Sequence, residues 1–187
     1  MTRREEVHLH AIAATFQKIT GLSAEVRRAT EIIVASLRAG NRVYFCGNGG
    51  SAADAQHLAA ELLGRFLIDR DPFAAVALNV NVSALTAIAN DYGYDEVFSR
   101  QIRGLGRPGD VLVAISTSGN SSNVLAALEA ARNLDIATIG MTGMSGGAME
   151  PLCDLCIRAP SGDTPRIQEM HIALGHAICE FVESELA

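Results

Sequence analysis

Two short apolar runs constrain this chain most, because each ends in a turn of glycine and serine that opens into a helical pattern. Arg42-Val43-Tyr44-Phe45-Cys46 leads into Gly47-Asn48-Gly49-Gly50-Ser51, and Val111-Leu112-Val113-Ala114-Ile115 leads into Ser116-Thr117-Ser118-Gly119-Asn120-Ser121. A strand that ends at a helix N-terminus presents unpaired backbone N–H groups and the positive end of the helix dipole to one point, which suits a phosphate. One such turn also serves purely structural ends, since glycine and N-cap serine are ordinary strand-to-helix chemistry. Two in a chain of 187 residues, one with hydroxyls at Ser116, Thr117, Ser118 and Ser121, point to a phosphorylated ligand.

The rest of the chain alternates helical and strand patterns without a linker or repeat. Leu9, Ile12, Phe16 and Ile19 form a helical stripe over residues 5–19, and a second helix is expected over 24–39, ending at Gly40. Strands are expected at 42–46, 74–79, 111–115, 136–141 and 153–158. Helices are expected at about 51–67, 82–89, 95–105, 122–133 and 164–186, the last with Pro165 in its first turn, where a missing N–H costs nothing. This alternation predicts an α/β fold: one domain spanning 1–187, with a five-stranded parallel sheet between helical layers and the ligand at the carboxyl ends of the strands.

Composition narrows the partners. A net charge of -6, with Lys18 the only lysine, leaves no basic stripe for a nucleic acid. The charged start Met1-Thr2-Arg3-Arg4-Glu5-Glu6 has no apolar segment behind it, and no run reaches membrane-spanning length. The expectation is a soluble, cytoplasmic protein with neither nucleic acid nor membrane as partner. Cys46 and Cys179 fall in a buried strand and a helix, while Cys153 and Cys156 form a lone C-x-x-C whose members should face opposite sides of a strand. Four reduced thiols are therefore expected.

A second layer of chemistry lies on the helices. His57 and Glu61 stand at i and i+4, on one face below the first turn. Gln168 and His176, on the last helix, are about 80° apart in projection and ~12 Å apart along the axis. Imidazoles, a carboxylate and an amide oxygen can make a zinc shell, although an i,i+4 His/Glu pair is also a common helix-surface contact. His171 lies beside these residues with no assigned role, and Asp163 stands where it would cap the last helix.

Taken together, Gly-Asn-Gly-Gly-Ser-Ala-Ala-Asp-Ala-Gln-His (47–57) and Ile-Ser-Thr-Ser-Gly-Asn-Ser (115–121) resemble the sugar isomerase (SIS) domain family. Ala89-Asn90-Asp91-Tyr92-Gly93 and Asp163-Thr-Pro-Arg-Ile-Gln168-Glu-Met-His narrow the resemblance to its phosphoheptose isomerases, over essentially the whole chain. The resemblance implies a flavodoxin-like αβα sandwich and a homotetramer with active sites near subunit interfaces, to which the N-terminal helices (1–40) contribute. It implies conversion of sedoheptulose 7-phosphate to D-glycero-D-manno-heptose 7-phosphate, the first step of activated heptose biosynthesis for surface polysaccharide such as lipopolysaccharide.

Position by position, the resemblance puts one Zn2+ per subunit on His57, Glu61, Gln168 and His176. It puts substrate contacts on Asn48, Gly49, Gly50, Glu61, Asn90, Asp91, Ser116, Thr117, Ser118, Ser121 and Gln168, with Ser51 joining the phosphate cradle. Glu61 is then the base and His176 the acid of an enediolate reaction. Some family members carry an aspartate where this chain has Pro165, so none is assigned there. The alternative is a non-catalytic SIS protein that binds the replication initiator DnaA, but that relative lacks counterparts of Glu61 and His176. A phosphosugar-sensing regulator would need a helix-turn-helix domain ahead of the first strand, where this chain has about forty residues that read as two helices.

Overall fold

The structure, a computed structural model, describes residues 2–187; Met1, part of the charged N-terminal segment, lies outside it. Its elements are α1 (Thr2–Phe16), α2 (Ser23–Arg38), β1 (Val43–Gly47), α3 (Gly50–Leu63), β2 (Ala75–Ala77), α4 (Val82–Tyr92), α5 (Ser99–Leu105), β3 (Val111–Ile115), α6 (Ser122–Arg132), β4 (Ala137–Thr142), β5 (Leu155–Arg158) and α7 (Thr164–Leu186). Short 3₁₀ turns at Gln17–Leu22, Tyr94–Glu96 and Gly147–Leu152 connect them. All five strands are parallel, in the order β2-β1-β3-β4-β5. The α/β sandwich expected from the alternation of elements is the fold observed.

Every residue of β1 and β3 is buried, and the two-residue period of a strand sends alternate side chains to opposite faces. Val43, Phe45, Val111, Val113 and Ile115 join the core beneath α2, α3 and α7, with Ile33, Leu58, Leu62, Leu174 and Val182. Tyr44, Cys46, Leu112 and Ala114 join the second core beneath α4, α5 and α6, with Phe98, Ile102, Val124 and Leu128. Each large apolar side chain so buried stabilises the fold by about 1.5–3 kcal/mol before entropy is counted.

Because α3 leaves β1 for one face and α6 leaves β3 for the other, chain direction across the sheet reverses between β1 and β3. A crevice opens at such a point, outside the carboxyl ends of the strands. Both glycine/serine turns stand there, side by side, since Gly47 pairs with Ile115.

Several boundaries differ from expectation for physical reasons. The helix expected over 51–67 stops at Leu63, because residues beyond Gly64 are gathered by a buried ion pair. Glu183, on α7, accepts the N–H groups of Phe66, Leu67 and Ile68 and the Nε of Arg70 at 2.9, 2.6, 2.9 and 2.9 Å. Arg70 in turn donates to the carbonyls of Glu61, Leu62, Gly64 and Asp71, capping the end of α3. Burial pushes the Glu183 carboxyl up, but the N–H groups of Leu67, Phe66 and Ile68 and the charge of Arg70 together hold it below its usual range.

The four cysteines are free. Burial pushes the Cys46 and Cys179 thiols up to about 12. Cys153 is a correction to the sequence reading. It precedes β5 rather than lying within it, and its thiol donates to the Met149 carbonyl at 3.2 Å; the neighbouring Cys156 holds the Cys153 thiol above its usual range and is itself held below.

The contact that brings α7 against α3 is made over a glycine. A Cβ on Gly175 would lie 2.6 Å from both methyl carbons of Leu58, which is almost fully buried. Gly175→Ala should therefore cost about 1–3 kcal/mol by overpacking, read as a lowered melting temperature. An unchanged melting temperature would show that the two helices have room to spare.

Candidate active site

The first turn is built for close approach. Gly49, at the N-cap of α3, has φ of 58°, a left-handed conformation that glycine adopts without strain. A Cβ on Gly50 would lie 2.3 Å from Nε2 of Gln168, so the amide of Gln168 rests directly on the turn. The first hydrogen bond of α3 runs from Ser51 N–H to Asn48 O at 3.0 Å, which leaves the N–H groups of Gly49 and Gly50 ahead of the helical ladder. Ser51 is buried beneath them.

The second turn has the same plan. Ser121, at the N-cap of α6, makes no capping bond with its side chain; its hydroxyl lies 3.0 Å from that of Ser116. Ser116 is buried, Thr117 and Ser121 are half-buried and Ser118 is exposed, so the hydroxyls grade from the floor of the turn to its rim. Ser118 Oγ accepts the N–H of Asn120 at 3.1 Å, which shapes the turn and leaves its own O–H proton to donate. The N-termini of both helices thus lack side-chain caps at the mouth of the crevice. Asn90 and Asp91 sit exposed at the end of α4, bonded to each other at 2.8 Å. Among the described residues, the bond from that region to the first turn is made by Tyr94, whose hydroxyl donates to Asn48 Oδ1 at 3.1 Å.

Two turns of helix below the first loop, three of the four expected metal ligands converge. His57 Nε2 lies 2.9 Å from His176 Nε2 and 3.2 Å from Glu61 Oε1, and one ligand atom from each residue falls within 4.8 Å of the others. An ion with bonds of about 2.0–2.2 Å holds tetrahedral ligands roughly 3.3–3.6 Å apart, so the cluster needs only small shifts to accept one. Two imidazole nitrogens and a carboxylate oxygen turned towards one point fit zinc by chemistry as well as by distance. Phe66 packs against the His176 ring, 5.6 Å between centroids, and limits how it can tilt. The fourth expected ligand, Gln168, is on the turn side of this cluster, in contact with Gly50.

Asp54 was not singled out by sequence reasoning. It lies three residues before His57 within the 47–57 motif, a helical spacing that would have pointed to it. Its Oδ2 is buried with no hydrogen-bond partner, and burial raises its pKa while the nearby His57 and His176 pull it down. Asp163 is a correction: it occupies the N-cap of α7, but its carboxylate makes no capping bond.

The SIS domain family model matches residues 8–143 of this chain. The phosphoheptose isomerase of Rhodospirillum rubrum is 58% identical over 174 residues, 93% of each chain, and that of Akkermansia muciniphila 51% identical over 175 residues, 94% of this chain and 93% of its own. The chain belongs to the phosphoheptose isomerase family of SIS domain proteins. Among solved structures, the phosphoheptose isomerase of Neisseria gonorrhoeae superposes with a TM-score of 0.92 at 45% identity, covering 98% of each chain. That of Francisella tularensis superposes at 0.93 and 33% identity, covering 97% of each.

His171, left without a role by the sequence, is fully buried on the same helix as Gln168 and His176. Its Nε2 lies 3.1 Å from the carbonyl of Thr142, its Nδ1 has no partner, and burial lowers its pKa to about 4 from 6.5. It is a neutral donor tying α7 to β4. With the folded pKa depressed, the unfolded chain binds the extra proton first, so stability is complete above about pH 6.5 and declines as pH falls towards 4. Melting temperatures measured from pH 7 to 4 should show this decline, and His171→Gln should flatten it. An equally steep decline in the variant would assign the acid sensitivity elsewhere.

Proposed function

We propose that this phosphoheptose isomerase family member converts sedoheptulose 7-phosphate to D-glycero-D-manno-heptose 7-phosphate through an enediolate. The observation that carries the reading is the convergence of His57, Glu61 and His176 below two uncapped helix N-termini. The phosphate end of the sugar belongs at the turns, held by N–H groups around Gly49 and Gly50 and by the hydroxyls of Ser51, Ser116, Thr117, Ser118 and Ser121. The reacting end then reaches the carboxylate and imidazoles. Asn90, Asp91 and Gln168 complete the sugar contacts, and Gln168 is also the fourth candidate for the metal. Because all relatives described above are phosphoheptose isomerases, the DnaA-binding alternative is set aside.

Aldose–ketose conversion moves a proton between C1 and C2. Glu61 is the base: Oε1 is turned to His57, which leaves Oε2 to take the proton from one carbon and return it to the next. This division of the two oxygens lets one carboxylate serve both as ligand and as base. His176 is held between His57 and Phe66 with Nε2 turned to the cluster, which leaves Nδ1 as the ring nitrogen that moves protons between the sugar oxygens. Bound zinc would supply Lewis-acid stabilisation of the negative charge that develops on oxygen.

The finer reading extends to assembly and compartment. Val7 and Leu9 are 68% and 65% exposed on α1, apolar surface that a homotetramer would cover, and the N-terminal 40 residues are the assigned oligomerisation segment within a single SIS domain of 1–187. No helix among the described residues is long and apolar enough to cross a membrane, in keeping with a cytoplasmic enzyme.

Glu61→Gln should lower turnover of sedoheptulose 7-phosphate by more than the ~10²–10⁴-fold usual for a general base, since it also weakens a ligand, while calorimetric binding of the phosphosugar survives. Near-normal turnover would remove Glu61 from the mechanism. Turnover should also vanish in chelator and return with zinc; full activity in chelator would exclude the metal.

Ser118→Ala should weaken phosphosugar binding by about 1–3 kcal/mol, the range for a charge-assisted hydrogen bond, with a further small loss from the Asn120 contact. A fall in melting temperature with KM unchanged would make Ser118 a structural residue alone.

A further inference from the structure

The two phosphate-binding turns are joined by a reciprocal amide pair. Asn48 Nδ2 donates to Asn123 Oδ1 at 2.8 Å, and Asn123 Nδ2 donates back to Asn48 Oδ1 at 2.9 Å. Asn48 lies in the first turn; Asn123 lies in the first turn of α6, just beyond Ser121, and is 2% exposed. The Tyr94 hydroxyl donates to the same Asn48 Oδ1 at 3.1 Å, although the Tyr94 side chain is otherwise exposed. A carboxamide can accept twice and donate twice. Both acceptor positions of Asn48 and one of its two donors are therefore spent on protein groups, leaving a single N–H for a ligand.

We propose that the Asn48–Asn123 pair, braced by Tyr94, is a strut that fixes the spacing between the two turns, making Asn123 and Tyr94 positioning residues for the phosphosugar. This rests on the assignment of the turns to the phosphate. Two helix N-termini on opposite faces of the sheet can share one anion only if their separation is set in advance, because phosphate hydrogen bonds tolerate errors of a few tenths of an ångström. β1 and β3 fix the bases of the turns through the Gly47–Ile115 pairing, but the turns extend beyond the last ladder bond. The amide pair ties them above that point. Asn79 steadies the first turn from its other side, donating to Gly47 O at 2.8 Å. With Asn123 buried and Asn48 half-buried, the pair is costly to leave half-made, so the strut is held in one arrangement rather than several.

Kinetics with sedoheptulose 7-phosphate, calorimetry with the same compound and thermal melting, applied to Asn123→Ala and Tyr94→Phe, test the strut. Asn123→Ala should raise KM and Kd by about tenfold or more while kcat stays within about threefold and zinc content is unchanged. Tyr94→Phe removes one exposed hydroxyl without risk to the fold and should raise both by about two- to fivefold at an unchanged melting temperature. A lowered melting temperature with KM and Kd unchanged in Asn123→Ala would make the pair structural only. Should that variant fail to fold, unchanged binding in Tyr94→Phe would overturn the proposal by itself. If the wild-type chain binds the phosphosugar without turning it over, the isomerase reading fails while Kd still tests the strut; if it binds no phosphosugar, both fail.

Discussion

The close approach of α7 to α3 is the constraint on which the site depends. Gly175 lets the helices meet over Leu58, and Gly50 lets the same pair of helices meet again over Gln168. The two contacts fix a parallel register, with residue 168 opposite 50 and residue 175 opposite 58. In that register His176 faces His57, and their Nε2 atoms come within hydrogen-bond distance, 2.9 Å apart. A Cβ at position 175 would press on the buried Leu58 between the helices, and one at position 50 would displace the Gln168 amide from the first turn.

A second interaction supports the first. Glu183 stands seven residues after His176 on α7 and gathers the segment that follows α3, while Arg70 binds the carbonyl of Glu61 itself. The ion pair is buried, so its charges gain little over an apolar pair of the same shape. Its effect is positional: it ends α3 two residues beyond Glu61 and sets Phe66 against the His176 ring. The orphan Oδ2 of Asp54 adds negative charge beside the same imidazoles, which favours a cation there.

The sheet, its parallel order and the place of both turns were legible in the sequence because each depends on local patterning: buried runs in β1 and β3, glycines where the backbone turns, and helical periodicity between. His57 and Glu61 were legible as an i,i+4 pair, and the resemblance added His176 from the far end of the chain. What escaped is non-local. The end of α3 depends on Glu183, 113 positions from Arg70, and the strut joins residues 75 apart. No periodicity marks such partners. The free thiols were legible, but the start of β5 was not: Gly147–Leu152 forms a 3₁₀ turn, and the strand begins at Leu155, beyond Cys153. Asn48, expected as a sugar contact, has most of its hydrogen-bonding capacity committed to Asn123 and Tyr94, which motif reading alone does not reveal.

The central claim is that α3 and α7 together build one metal centre from His57, Glu61 and His176. Crystals of the protein grown with zinc, measured on both sides of the zinc absorption edge, test it most directly. The account predicts one anomalous peak per chain, within about 2.0–2.2 Å of His57 Nε2, His176 Nε2 and a Glu61 oxygen. A fully active preparation with no peak there, or with its zinc bound elsewhere, would contradict it.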